Sequence, residues 1–143
     1  MSTSRQTSVA SVDTANQLLR DKLLTIASTD GDYATDIEAL SIHRRSAVTD
    51  PLPCIYDFGI AITVSGRKQV IAGNQVYEYG AGQALLASVD MPVVSRVMEA
   101  SKATPYLGIM LRLDRHVMLQ LAGELTLPPM PRKQTFRPCH RRC

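Results

Sequence analysis

The residues best able to hold a transition metal or shuttle a proton are three histidines, His43, His116 and His140, and they are widely dispersed. His43 falls on an expected strand and is followed by Arg44 and Arg45; His116 falls in an expected helix and His140 in an irregular tail. No two share a ligand spacing, and neither Glu78 nor Glu99 has a histidine near it in sequence. A divalent ion needs several donors to converge, and such sites usually announce themselves as clusters. The pattern therefore predicts neither metal nor cofactor. Nucleophilic catalysis is equally unsupported. Ser88, in Ala-Ser-Val-Asp, lacks the Gly-x-Ser-x-Gly elbow that presents a nucleophile on a strained turn. Asp90, two residues on, is expected to cap the turn before Met91-Pro92. Gly80-x-Gly82 has no following helix and no Lys-Ser/Thr pair, so it is not a phosphate loop. No catalytic residue is expected.

The remaining polar chemistry has bland readings. Arg67-Lys68 follows Ser65-Gly66 and is expected to be a solvated strand edge that discourages aggregation, with an anion contact as the alternative. Of Arg44 and Arg45, strand alternation sends only one inward. Cys54 is alone in the body, since Cys139 and Cys143 lie in the tail. A lone thiol builds no disulfide framework and reads as inert and partly buried. Tyr56, Tyr77, Tyr79 and Tyr106 are apolar bodies with polar tips, expected to plug the ends of a barrel or to orient a small ligand.

The elements that must position these side chains follow from periodicity. From Asp13, residues Ala15, Leu18, Leu19, Leu23, Ile26 and Ala27 recur at helical steps, and Asp30-Gly31 can end that helix. Beyond it the period falls towards two. Strands are expected over 37–44, 55–64, 67–72, 75–79, 83–89, 93–99 and 106–113, separated by Asp-Pro, Ser-Gly, Gly-Asn, Gly-x-Gly and Asp-Met-Pro turns. Pro92 is expected to end a strand by withholding a ladder donor. Short strands spaced this closely, without intervening helices, predict a mainly β, antiparallel jelly-roll barrel with a helix at each end. Phe58, Ile60, Ile62 and Val64 alternate on one strand face, and Leu85, Ala87 and Val89 on another. These rows are expected to line an apolar pocket beside Tyr79 or Tyr106. A second helix, capped by Asp114, carries Val117, Met118, Leu121, Ala122 and Leu125 as an apolar stripe. It is expected to cover the barrel and leave a shoulder for a homodimer centred on Val117, Leu121 and Leu125.

Composition bounds the function. With 45% hydrophobic residues and mean hydropathy near zero, 143 residues suffice for one domain with its own core. No apolar run approaches the roughly 20 residues a bilayer demands. The polar N-terminus lacks a signal-peptide core, so no membrane and a cytoplasmic location are expected. The net charge of +3 is set by the tail: Arg132, Lys133, Arg137, Arg141 and Arg142 lie past Leu127 with no acidic residue, which leaves 11 of the 16 basic residues against 13 acidic ones in the body. A body of that balance lacks the basic face that grips DNA phosphates. Three parts are expected: a mobile segment over 1–12, a barrel domain with flanking helices over 13–127, and an irregular basic tail over 128–143 that holds half of all prolines.

The run Tyr77-x-Tyr79-Gly80-x-Gly82, with Ser88-Val-Asp-Met-Pro-Val93, Pro105-Tyr-Leu107 and Leu113-Asp114, resembles the N-terminal domain of AraC-type transcriptional regulators. Pro51-Leu-Pro53, Gly66-Arg-Lys68 and Gly73 fit the same order, and the likeness runs from about Ile37 to Leu125. The resemblance implies a cupin-like barrel that takes up an unidentified small-molecule effector and supports dimerisation, in a branch without metal. It also implies a following helix-turn-helix half that binds promoter DNA. That half is missing here, so no specific DNA binding is expected of this chain. After Leu127 the resemblance is expected to stop, in a tail whose composition reads as out-of-frame translation or a fusion remnant. The run Tyr56–Val64 departs from the family's usual pattern, so pocket specificity does not transfer. The alternatives are a stand-alone cupin-like enzyme, such as an isomerase or metal-dependent oxygenase, and a purely structural interaction module.

Overall fold

The computed structural model describes residues 3–125, with side chains from residue 11 onward; His140 and the basic tail lie outside the described residues. Helix α1 (Thr3–Ile26) starts ten residues before Asp13, because no glycine or proline interrupts that stretch. Part of the segment assigned to a mobile N-terminus is therefore helical. Nine strands follow: β1 (Gly31–Ala34), β2 (Leu40–Arg45), β3 (Leu52–Tyr56), β4 (Gly59–Ser65), β5 (Arg67–Ala72), β6 (Gln75–Gly80), β7 (Gln83–Ala87), β8 (Met91–Glu99) and β9 (Tyr106–Arg112). They form a five-stranded sheet of order β1-β2-β9-β4-β7 and a four-stranded sheet of order β3-β8-β5-β6, every pairing antiparallel. This is the expected mainly β jelly roll. The chain divides at Leu113 into two compact units. The second contains α2 (Arg115–Glu124), whose Asp114 carboxylate accepts from the His116 and Val117 amides at 2.8 and 3.1 Å.

The expected strand over 55–64 is two strands in different sheets. Between them Asp57-Phe58 turns the chain, and the Phe58 amide donates to Asp90 Oδ1 at 2.8 Å. Asp90 thus fixes the crossing between sheets. Pro92 does not end a strand but sits within β8, opposite Ile55. β5 pairs with β8 no farther than Val94, so at Pro92 only β3 lies alongside and a missing donor is tolerated. Pro53 is accommodated because β3 is an edge strand. The return from β4 to β5 passes through Gly66 at φ +82°, where a Cβ would meet the Glu99 carbonyl at 2.5 Å. No L side chain fits there.

Two apolar clusters hold the first unit. Leu23 and Ala27 of α1 bury against Ile42, Val64, Leu107 and Ile109, with Ile62 packed beside them. Tyr56, Ala61, Val70, Tyr79, Ala87 and Val93 form the second cluster, between the sheets. The expected inward row is thereby corrected: Ile62 and Val64 face α1, and Ala61 and Thr63 on the opposite face point between the sheets. Both faces of this sheet are covered, so apolar bulk does not identify the interior. The large row packs under the helix, while Ala61 keeps the inner face small and Gly59 lets the Leu111 carbonyl of β9 approach closely.

Candidate functional site

The interior contains one charged group that sequence reasoning placed outside. On β5, Lys68 shares its face with Val70 and Ala72, and Val70 is fully buried. Its ammonium lies 5.5 Å from the centre of the Tyr56 ring and 5.8 Å from that of Tyr106. The solvated-edge reading therefore holds for Arg67, which pairs with Glu78 at 3.3 Å, and not for Lys68. The signal was available: once Val70 is inward, a residue two positions earlier on the strand must be inward too.

Tyr56, Tyr79 and Tyr106 are all buried around this ammonium, whereas Tyr77 is exposed. Gly108 makes the ring of Tyr106 possible, because a Cβ there would collide with its phenol. Burial pushes the Tyr79 phenol well above its ordinary value, and the neighbouring Tyr56 and Tyr106 phenols add to the effect. Tyr106 is raised by burial against the pull of Lys68. For Lys68, burial opposes the charge, Tyr106 and Tyr56 favour it, and the balance lies above the ordinary lysine value. At neutral pH the site therefore holds an ammonium beside the neutral phenols of Tyr79 and Tyr106. Three buried hydroxyl oxygens there, Tyr56 Oη, Tyr79 Oη and Thr63 Oγ1, make no hydrogen bond of good geometry among the described residues, although Tyr56 lies near Lys68 and Tyr79, and Thr63 near Tyr106. Each such group costs about 1–3 kcal/mol if nothing else satisfies it.

A cavity opens at each end of this cluster. One, of about 240 Å³, is lined by Lys68, Tyr106, His43, Arg45, Leu52 and Val97, among others. The other, of about 290 Å³, is apolar and lined by Tyr56, Val70, Leu85, Ala87, Met91 and Val93. Of the expected pocket residues, Leu85 and Ala87 line the second cavity and Tyr106 the first, while Tyr79 is buried in the cluster between the sheets. Phe58 is half-buried at the sheet crossing, and Ile60 is half-buried on the face of Ile62. On α2, Val117, Leu121 and Leu125 are exposed, and no residue of that helix is buried.

His43 and Arg45 on the cavity wall are already engaged. His43 Nδ1 lies 2.8 Å from Asp32 Oδ1, and its Nε2 lies 3.0 Å from Ser41 Oγ. Arg45 donates to Asp32 at 2.8 Å and to the Gly31 and Arg44 carbonyls. Burial raises the Asp32 carboxyl, but the His43 and Arg45 bonds outweigh it and hold it below its ordinary value. Asp32, His43 and Ser41 thus have the connectivity of a serine nucleophile and its base, visible only once β1 and β2 pair. Ser41, however, sits mid-strand between Ala34 and Met110, without the strained turn that exposes a nucleophile. Among the described residues, no three His, Cys, Asp or Glu side chains are grouped to hold a metal. Cys54 is half-buried against the interior cluster, as expected.

Comparison with known proteins places this geometry. Residues 36–141 match the family model described as the AraC-type transcriptional regulator N-terminus. The match passes Leu127, where the resemblance was expected to stop, so the basic tail lies largely within it. No curated protein matches the chain. Among solved structures, one described as ethanolamine utilization protein Q of Salmonella typhimurium shares 12% identity over 58% of this chain and 68% of its own, at a TM-score of 0.41. The EutQ protein of Clostridium difficile shares 10% identity over 59% and 67%, at 0.38.

Proposed function

Because the chain belongs to the family of AraC-type transcriptional regulator N-termini, we propose that it is the effector-sensing and dimerising part of a bacterial transcription factor. One observation carries the reading: the space between the sheets is not packed solid but ends in two cavities flanking buried, unpartnered hydroxyls. An interior filled by side chains would suit a purely structural module. Orphaned polar groups beside a void suit a ligand that satisfies them. The bound molecule would favour one arrangement of the domain over another, and its differential affinity sets how far that equilibrium shifts. The exposed apolar side chains of α2 supply a surface for a second copy. The slightly acidic body is not itself a DNA grip, so promoter binding belongs to the DNA-binding half that such regulators carry. The site of action is the cytoplasm. Among the described residues, no helix is long and apolar enough to cross a membrane.

Native mass spectrometry of the purified chain tests the reading. A small molecule retained under gentle ionisation and released on denaturation supports it; an interior that stays empty and a melting temperature unmoved by a broad metabolite panel reject it. A sensor also differs from an enzyme built on the Asp32–His43–Ser41 relay. Labelling of Ser41 by a fluorophosphonate would favour the enzyme.

A further inference from the structure

Resting on the effector-sensing reading, we propose that the cavity beside Lys68 receives the carboxylate of a small, ring-sized organic monoanion. Charge accounting at the cavity comes first. Its wall carries three groups able to be cationic. Arg45 is bound to Asp32, and His43 is bound to Asp32 and Ser41. Lys68 makes no ion pair among the described residues, and its ammonium lies over the rings of Tyr56 and Tyr106 with the Tyr56 hydroxyl as its one polar neighbour of note. Ring faces attract an ammonium but accept none of its hydrogen bonds well. A half-buried ammonium without an anion is costly, and a bound carboxylate offsets that cost.

The sign and number of charges follow from the same wall. Asp50 is the one carboxylate on the lining, and it is exposed. It makes no ion pair with Lys68, and it disfavours a second negative charge on the ligand. One unengaged cation inside and one anion outside select a single carboxylate. The protonated amine pairs with an anion; as an ammonium it has no lone pair with which to attack a carbonyl.

Size follows from volume. An apolar cavity of about 150 Å³ accepts benzene. The cavity of about 240 Å³ beside Lys68 has room for such a ring and its carboxylate. Leu52, Val97 and Tyr106 give the ring apolar surface within the lining.

Benzoate and its neutral isostere benzamide, titrated calorimetrically into the 143-residue chain, test this. Benzoate should bind, and benzamide should bind weaker by roughly ten-fold or more. In Lys68→Met the preference should fall to about one, with the fold checked by circular dichroism, while Lys68→Arg keeps part of it. If Lys68→Met fails to fold, nitrogen NMR of the wild-type lysines decides: benzoate, and not benzamide, should shift one ammonium signal. Equal binding of the two probes, an intact preference in folded Lys68→Met, an unmoved lysine signal, or no binding of benzoate overturns the proposal. A small molecule retained in native mass spectrometry despite that outcome leaves the sensing reading standing and removes only the anion site. Failure of both experiments removes both.

Discussion

The five-stranded sheet carries α1 across its outer face, with Leu23 and Ala27 fully packed against Ile42, Val64, Leu107 and Ile109. The outer face of the four-stranded sheet is instead open, and its side chains Ile55 and Val76 are 68% and 57% exposed. Half of that face is apolar, with Ile71, Pro92 and Val94 beside a shallow groove. The other half is a polar ladder in which Arg96 donates to Gln69, Gln69 to Glu78 and Arg67 to Glu78, at 2.9, 2.9 and 3.3 Å. The contrast teaches that a sheet covered on both faces spends its bulk outward, under the helix, and keeps small residues for the interior. The interior's room comes from the covered sheet, whereas its charge, Lys68, comes from the open one.

Mutations on the two sheets should separate in that order. Leu107 is completely buried under α1, and Leu107→Ala should cost about 3–4 kcal/mol, read as a lowered urea midpoint at unchanged slope. A loss under about 1 kcal/mol would mean that the helix-side core is not the stronger one. Val70 is the fully buried counterpart on the open sheet, and Val70→Ala should cost about 2 kcal/mol by the same assay.

Acid should act on both edges. Asp30 is held below its ordinary 3.8 first by its Ser46 hydrogen bonds, and Asp32 is held below it by His43 and Arg45 against burial. Glu78 is lowered first by Gln69 and then by Arg67. For groups whose folded values are depressed, the stabilisation is complete above the ordinary value and disappears as pH falls through the lower folded one. Amide protection in β1 and β6, corrected for the intrinsic exchange rate, should therefore fall below pH about 4. Asp32→Asn should reduce the acid response of β1 to the part carried by Asp30 and leave that of β6; an unchanged response in β1 would dissociate this edge from Asp32. The smallest effect belongs to the open face: Ile55→Ser should change stability by no more than about 0.5 kcal/mol. A large loss there would reveal that Ile55 is covered in solution.

Much of this was legible in the sequence. The antiparallel jelly roll, β5, β6 and the Asp114 cap follow from alternation and turn chemistry, which are local. The split at Asp57-Phe58 was not, since the reason for it is Asp90, far along the chain. Prolines at 53 and 92 were misread because their tolerance depends on which strands have a neighbour on one side only. The inward row on β4 was misread because alternation separates two faces without saying which meets a helix. The candidate site was half legible. Tyr79, Tyr106, Leu85 and Ala87 were expected to face the interior and are buried or half-buried, whereas Lys68 was hidden by the habit of sending lysines to solvent. The Asp32–His43–Ser41 relay needed the pairing of β1 with β2, and no strand was expected before Ile37.

β9 lies between β2 and β4, pairing with both, although it is synthesised after all the other described strands. On the ribosome, β5 and β6 can zip as soon as Gly80 emerges, while β2 and β4 wait for a common partner many residues away. Until Tyr106–Arg112 leaves the exit tunnel, the five-stranded sheet has no middle and Leu23 and Ala27 lack Leu107 and Ile109. Such non-local closure is slow and leaves apolar surface uncovered while it is pending. A nascent chain stalled before Tyr106 would be a client for chaperones, and release of β9 would be the moment at which the interior first exists.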